Sequence, residues 1–175
     1  MTATQPTVAQ YMTAEPATAD RGLLLSDAQQ RMEIDNIRHL VVVEDGRMVG
    51  VLSTRDVAVA LGLPGGDSKK LTVADAMSKD PYACAATTPI ADVALAMEQH
   101  RYGCAVIVDR DEVLGVFTTT DALRALRALA TGRPAEPAIK PNHLPPAEPI
   151  GKHHYKIRHP KPIDTHGGRL FDTRP

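Results

Sequence analysis

The chain repeats itself at an interval of 65 residues. Placed without gaps, residues 7–62 match residues 72–127 at 16 of 56 positions. Unrelated segments of ordinary composition would match at roughly one position in sixteen. The agreement is clearest between "TVAQYMTAEP" and "TVADAMSKDP" and between "GVLSTRD" and "GVFTTTD". A unit of about 55 residues builds only a marginal core alone, so we expect the two copies to pack against each other.

Both copies predict the same order of secondary structure. A short helical turn in "VAQYM" or "VADAM" is followed by a proline, which disfavours helix at the residue before it. The Asp45-Gly46 pair is a strong signal for a tight hairpin, which the second copy lacks. In the first copy, an extended segment at 17–20 precedes a predicted helix over 26–36, strands over 39–44 and 47–52, and a closing helix over 54–61. In the second copy, the extended segment at 82–86 precedes a helix over 89–101, strands over 104–109 and 112–117, and a closing helix over 119–130.

This order predicts an α+β fold made of two β-α-β-β-α repeats. Each repeat would form a three-stranded sheet with its helices on one face, and the two sheets would pack around a pseudo-twofold axis. The predicted organisation is a first repeat at 7–62, a Gly-rich linker at 63–71, a second repeat at 72–130 and a Pro- and His-rich tail at 131–175.

The composition excludes several classes of function. Four Tyr, two Phe and no Trp argue against an aromatic platform for single-stranded nucleic acid. Cys84 and Cys104 form no metal or disulfide framework and are expected to be small core residues. We find no Walker A loop, no G-x-S-x-G motif and no signal or membrane-spanning segment. The sequence therefore predicts a cytoplasmic protein that is not an enzyme and has no membrane partner.

The two S/T-x-x-D turns allow a structural and a functional interpretation. Ser53 with Asp56, and Thr118 with Asp121, match the capping box that starts a helix, although Glu or Gln is the usual acid there. Aspartate is shorter and is expected to reach back less well, which suggests another task for the carboxylate. Free N–H groups at a helix start can bind anions. A carboxylate there can accept hydrogen bonds from both hydroxyls of a ribose.

The duplicated motifs resemble a tandem pair of cystathionine-β-synthase (CBS) domains, the Bateman module. The resemblance rests on the "VAQYM" and "VADAM" openings and on "RHLVVVEDGRMVGVLSTRD" and "GCAVIVDRDEVLGVFTTTD", and it covers about residues 7–130. It implies a pseudo-dimer with two clefts for a regulatory, energy-sensing ligand, namely AMP, ADP, ATP or S-adenosylmethionine, without a catalytic cofactor. It also implies a homodimer that forms a flat disc of four repeats.

The resemblance assigns candidate ligand-binding residues by position, with no catalytic or metal-binding residue among them. Asp56 and Asp121 would bind the ribose hydroxyls. The phosphates would lie near Ser53, Thr54 and Arg55 in one cleft and near Thr118, Thr119 and Thr120 in the other, and the adenine near the backbone of Ala17, Thr18, Tyr82 and Ala83. Arg38 and His39 add positive charge to the first copy, so we expect the first cleft to be the more cationic.

The tail differs from the repeats in charge and composition. Residues 1–130 carry 12 basic and 17 acidic residues, whereas residues 131–175 carry 8 and 4, with nine of the fourteen prolines and five of the seven histidines. Such a segment is expected to be disordered or to order on a partner, and its histidines match no tight zinc spacing.

Two functional hypotheses follow. The leading one is a stand-alone module that senses an adenosine nucleotide and signals to a separate partner. The alternative is a structural dimerisation module whose basic arm docks on RNA, a ribosome or another large complex.

Overall fold

The structure is a computed structural model that describes residues 5–110 and 112–134, all of which belong to one compact unit. The predictions for the tail, namely its disorder or its ordering on a partner such as RNA, a ribosome or another large complex, lie outside these residues. No helix in the described ranges is long and apolar enough to cross a membrane.

The secondary structure follows the predicted order in both repeats, and the ends differ from those predicted by two residues at most. The elements are a 3-10 turn at Val8–Gln10, β1 (Thr13–Ala14), β2 (Thr18–Asp20), α1 (Leu25–Ile34), β3 (His39–Glu44), β4 (Arg47–Ser53), α2 (Thr54–Gly62), α3 (Val73–Ala76), β5 (Ala83–Ala85), α4 (Ile90–His100), β6 (Cys104–Asp109), β7 (Glu112–Thr118) and α5 (Thr119–Thr131). Only the two-residue strand β1 was not predicted.

Each repeat forms its own sheet. In the first, β2 runs parallel to β3, and β3 pairs antiparallel with β4. The second repeats this arrangement with β5, β6 and β7, and β1 adds a fourth strand beside β7. Asp45 and Gly46 both have positive φ, 50° and 77°, as the predicted tight hairpin turn requires. The predicted α+β architecture is therefore confirmed.

The opening segments are exchanged between the repeats. Val8, at the start of the first repeat, is fully buried in the second core, and its N–H donates to the carbonyl of Thr88 over 2.9 Å. Val73 is fully buried in the first core, and its N–H donates to the carbonyl of Leu23 over 2.8 Å. The order of elements alone did not predict this exchange.

The exchange explains the glycine that begins "GVLSTRD" and "GVFTTTD". A Cβ added at Gly50 would lie 2.6 Å from the carbonyl oxygen of Ser78, and one at Gly115 would lie 2.7 Å from that of Thr13. Both carbonyls belong to the opening segment of the opposite repeat. The glycines therefore allow the crossed backbones to approach the hairpins.

We expect Gly115→Ala to lower the free energy of unfolding by about 1–3 kcal/mol, because the new methyl group meets a backbone atom that cannot rotate away. Urea denaturation of the full chain measures the change. Gly62→Ala is the matched control, since a Cβ there has no atom within 4 Å. An unchanged unfolding midpoint for Gly115→Ala would contradict the close approach.

The two sheets meet in a separate apolar layer. Val51 of β4 packs in one cluster with Cys104 and Val106 of β6, and all three are buried. Met48, Val108 and Val113 cover this cluster at its edges. Sheet-on-sheet packing, predicted because each repeat needs a partner, is therefore present. It brings the turn from β4 to α2 and the turn from β7 to α5 to the same interface.

Candidate ligand-binding site at the paired strand-to-helix turns

The first turn joins β4 to α2 through a complete capping box. The N–H and the hydroxyl of Ser53 donate to Oδ2 of Asp56 over 2.8 and 2.6 Å, and the N–H of Asp56 donates back to Oγ of Ser53 over 3.2 Å. The expectation that aspartate reaches back less well is therefore wrong. One carboxylate oxygen satisfies the cap, and Oδ1 of Asp56 accepts no hydrogen bond from any described residue.

The second turn has the same cap but a different environment for its carboxylate. Both donors of Thr118 reach Oδ2 of Asp121 over 2.7 Å, and the N–H of Asp121 donates to Oγ1 of Thr118 over 3.3 Å. Oδ1 of Asp121 also accepts from the hydroxyl of Thr13 over 3.2 Å and from Arg124 over 2.5 Å. The side chain of Asp121 is only 2% exposed, so this carboxylate is enclosed as well as fully bonded.

Most of the N–H groups at the two helix starts are used inside the protein. An α-helix leaves four N–H groups without a partner at its start. In α2, those of Ser53 and Asp56 belong to the cap, and that of Thr54 donates to the carbonyl of Arg38 over 3.1 Å. In α5, the N–H of Thr119 likewise donates to the carbonyl of Gly103 over 3.3 Å. The predicted row of free donors is therefore reduced to one N–H per helix.

Arg38 connects the two turns. Its carbonyl belongs to the first turn, whereas its guanidinium donates to the hydroxyl of Thr120 in the second over 3.2 Å. The sequence assigned Arg38 to the first cleft as part of a more cationic site. In the structure its positive charge lies beside the second turn, and Arg55 is the arginine that remains at the first.

His39 lies between the first turn and the opposite repeat. It pairs with Ser53 in the β3–β4 register, and a Cβ at Gly103 would lie 2.7 Å from its Nε2, so the imidazole fills the space of that missing side chain. Burial, and next the charge of Arg38, lower the pKa of His39, while Asp56 opposes the shift. The imidazole is therefore neutral at neutral pH.

The buried thiol of Cys104 is the residue equivalent to His39 in the second repeat. Burial, with a smaller contribution from the Asp56 carboxylate, raises its pKa to about 11. It remains a neutral thiol and is buried as predicted. No group of three or more His, Cys, Asp or Glu side chains within residues 5–110 and 112–134 is arranged to hold a metal ion.

The segments predicted to meet an adenine begin the parallel strands. The carbonyls of Ala17 and Tyr82 accept from the N–H groups of Val41 and Val106 over 3.0 and 2.8 Å, so they are used in strand pairing. Ala17 is buried, whereas Thr18 and Ala83 are exposed. Thr18 lies opposite Val41 on β3, two residues from His39, which pairs with the first turn. This register brings Thr18, His39 and Ser53 to the same end of the three strands of the first sheet.

Tyr82 takes part in a stack of three rings. Its ring lies 5.5 Å from that of Tyr102, centroid to centroid, and Tyr102 lies 5.2 Å from His100. Tyr102 also lines an apolar groove of about 330 Å³ between α4 and α5, with Thr119 and Leu123 on its α5 side. In the second repeat, the candidate adenine segment therefore lies beside aromatic surface.

The sequence reasoning missed two residues that bind the carboxylate of the second turn. Arg124 follows Asp121 by three positions on the same helix, a spacing at which opposite charges pair, so it could have been found. Thr13 comes from the exchanged opening segment, and no local pattern connects it with Asp121.

The architecture and the turns agree with comparisons to known proteins. The sequence profile of the CBS domain matches residues 8–63 and 73–128, which is well over half of the chain. The chain belongs to the CBS domain family. Two solved structures are similar to it in fold. AcuB of Vibrio cholerae has a TM-score of 0.64 and 27% identity, over 74% of this chain and 99% of that one. The CBS domain pair of protein MJ0100, solved with 5-methylthioadenosine and S-adenosyl-L-methionine, has a TM-score of 0.63 and 25% identity, over 69% and 99%.

Two curated relatives differ in how much of their own length the match covers. The CBS domain-containing protein YhcV of Bacillus subtilis is 27% identical over 110 residues, which are 63% of this chain and 78% of that protein. L-aspartate semialdehyde sulfurtransferase of Methanocaldococcus jannaschii is 27% identical over 119 residues, which are 67% of this chain. The alignment spans only 22% of the sulfurtransferase.

Proposed function

We propose that this protein is a regulatory module that binds an adenosine-containing ligand at the first turn, Ser53–Asp56. The observation that carries the proposal is the state of Asp56. Its Oδ2 is fixed by the cap, and its Oδ1 has no partner among the described residues. A carboxylate held in one orientation with a free oxygen is suited to accept the two hydroxyl donors of a ribose.

The surroundings of Asp56 indicate which part of the ligand lies where. Thr54 and Arg55 are exposed on the first turn of α2, and Arg55 supplies a positive charge for a phosphate or carboxylate group. His39, which pairs with Ser53 in the β3–β4 register, contributes a neutral imidazole. AMP, ADP, ATP and S-adenosylmethionine all combine a ribose with such a charged group. The adenosyl ligands in the MJ0100 domain pair support this ligand class.

The regulatory role requires a surface that passes the signal on. Large apolar side chains are exposed along α4 and α5, namely Leu95, Leu123, Leu126 and Leu129, each more than half exposed. Val59 and Leu63 add a smaller exposed apolar surface at α2. Leu123, Leu126 and Leu129 follow each other at intervals of three residues on α5, and a run of exposed apolar side chains on one helix is suited to an interaction site. We assign it to a homodimer, in which ligand binding changes the affinity for a separate protein partner.

The direct test measures ligand binding to the full chain by isothermal titration calorimetry with AMP, ADP, ATP and S-adenosylmethionine. We expect one of them to bind and Asp56→Ala to weaken that binding by about 10- to 100-fold, the effect of losing hydrogen bonds to a charged group.

A matched control separates ligand binding from helix capping. Thr72 and Asp75 form the same box at α3, with both donors 2.8 Å from the carboxylate, but no strand-to-helix turn leads into it. Asp75→Ala should therefore remove a cap and leave binding unchanged. No heat with any of the four ligands, or an equal loss in the two variants, would refute the proposal.

A further inference from the structure

The capping boxes of the two turns share one geometry, but the second oxygen atom of the aspartate has different surroundings in each. In both, Oδ2 of the aspartate closes the capping box at 2.6–2.8 Å. Oδ1 of Asp56 accepts no hydrogen bond from the described residues, whereas Oδ1 of Asp121 accepts hydrogen bonds from the hydroxyl of Thr13 and the guanidinium of Arg124. The carboxylate oxygen that would accept a hydrogen bond from a ribose hydroxyl is therefore available in the first repeat and occupied in the second.

The difference follows from the residues at equivalent positions. Arg124 corresponds to Val59 under the 65-residue repeat, and Thr13 corresponds to Ser78. Val59 is 59% exposed and has no polar group. Ser78 is exposed, and its hydroxyl makes no hydrogen bond to Asp56. One change of residue type at the third position after the aspartate, together with a hydroxyl from the exchanged segment, separates the two sites.

We infer that Arg124 closes the second turn to a ribose by occupying Oδ1 of Asp121, so that each chain binds a single adenosyl ligand at the first turn. This inference rests on the function proposed above and deepens it. Arg124 acts here as a specificity-determining residue, because it decides which of two similar turns accepts the ligand.

The ion pair is hard for a ligand to displace. The side chains of Arg124 and Asp121 are only 17% and 2% exposed, so water screens their attraction much less than in a surface pair. A ribose hydroxyl is a neutral donor and cannot replace the guanidinium charge. Separating the pair would also leave an enclosed carboxylate without its cation, which is strongly unfavourable.

The repeat offers a reciprocal test in the full chain. Arg124→Val gives the second repeat the residue of the first and removes the guanidinium from Oδ1 of Asp121, which then accepts only from the hydroxyl of Thr13 and keeps a lone pair for a ribose hydroxyl. Val59→Arg places a guanidinium three residues after Asp56, where it can reach Oδ1 along the same helix face. The measurement is the number of ligands bound per chain in equilibrium dialysis with labelled AMP and, separately, with labelled S-adenosylmethionine.

We expect one ligand per wild-type chain, two per Arg124→Val chain, and at least a tenfold weaker first site in Val59→Arg. In the double variant the site should move: binding should become sensitive to Asp121→Ala and insensitive to Asp56→Ala. Circular dichroism checks that Arg124→Val is folded. Val59→Arg lies at an exposed position and keeps the test decisive if the other variant is not folded.

Failure of this inference is distinguishable from failure of the proposed function. Two ligands per wild-type chain would overturn the inference. So would one ligand per chain that depends on Asp56 but is unaffected by both Arg124→Val and Val59→Arg. Absence of binding by the wild type and by every variant would overturn the proposed function, and the inference with it.

Discussion

Val8→Asp is expected to disrupt the second repeat, although Val8 belongs by sequence to the first. Its side chain is fully buried against Ile90, Val93 and Phe117 of the second core. A carboxylate there would be charged, buried and unpaired, a change that costs more than about 4 kcal/mol. Since a domain is stable by roughly 5–15 kcal/mol, most of its stability would be lost.

Amide hydrogen exchange shows where the damage occurs. In Val8→Asp, the protection of β6 and β7 should fall further than that of β3 and β4. Val73→Asp should give the opposite pattern, because Val73 lies in the first core. Gln10→Asp is the matched control, since Gln10 is exposed in the same segment and its equivalent in the second repeat is already Asp75. Greater damage to the first repeat by Val8→Asp would contradict the exchange of segments.

The secondary structure could be predicted because its signals are local. Alternating apolar residues, the Asp45-Gly46 turn and the S/T-x-x-D caps each act over a few positions and need no knowledge of the rest of the fold. The exchange could not be predicted in this way. The pattern around Val8 and Val73 shows that each side chain is buried, but both repeats offer a core of the same kind.

The candidate site was predictable to the same extent. The two carboxylates were found because they belong to repeated turns, and the capping interpretation is confirmed at both. What distinguishes them arises from tertiary contacts, because Thr13 reaches Asp121 only through the exchange, and the guanidinium of Arg38 crosses to Thr120. The aligned residues therefore predicted that both turns are capped in the same way, but they did not predict which additional groups bind each aspartate.

Leu126→Glu is expected to weaken the proposed homodimer by roughly 30-fold or more, the effect of losing about 2 kcal/mol at a central interface residue. Leu126 is 63% exposed and lies one helical turn from both Leu123 and Leu129, so it is central to the apolar face of α5. In a dimer this face is removed from water, and a carboxylate there would be buried without a partner. Sedimentation equilibrium over a range of protein concentrations measures the dissociation constant.

The control for this experiment introduces the same charge elsewhere. Ala9 is exposed on the 3-10 turn of the opening segment, away from the α5 leucines in sequence, and Ala9→Glu should leave the dissociation constant unchanged. Because Leu126 is mostly exposed in the described chain, its replacement should also leave the thermal stability of a monomer nearly unaltered. A wild-type protein that stays monomeric at every concentration, or a Leu126→Glu variant that dimerises as tightly as the wild type, would exclude the leucine face as the dimer interface. A loss of folding in Leu126→Glu would instead place Leu126 inside the core of the chain.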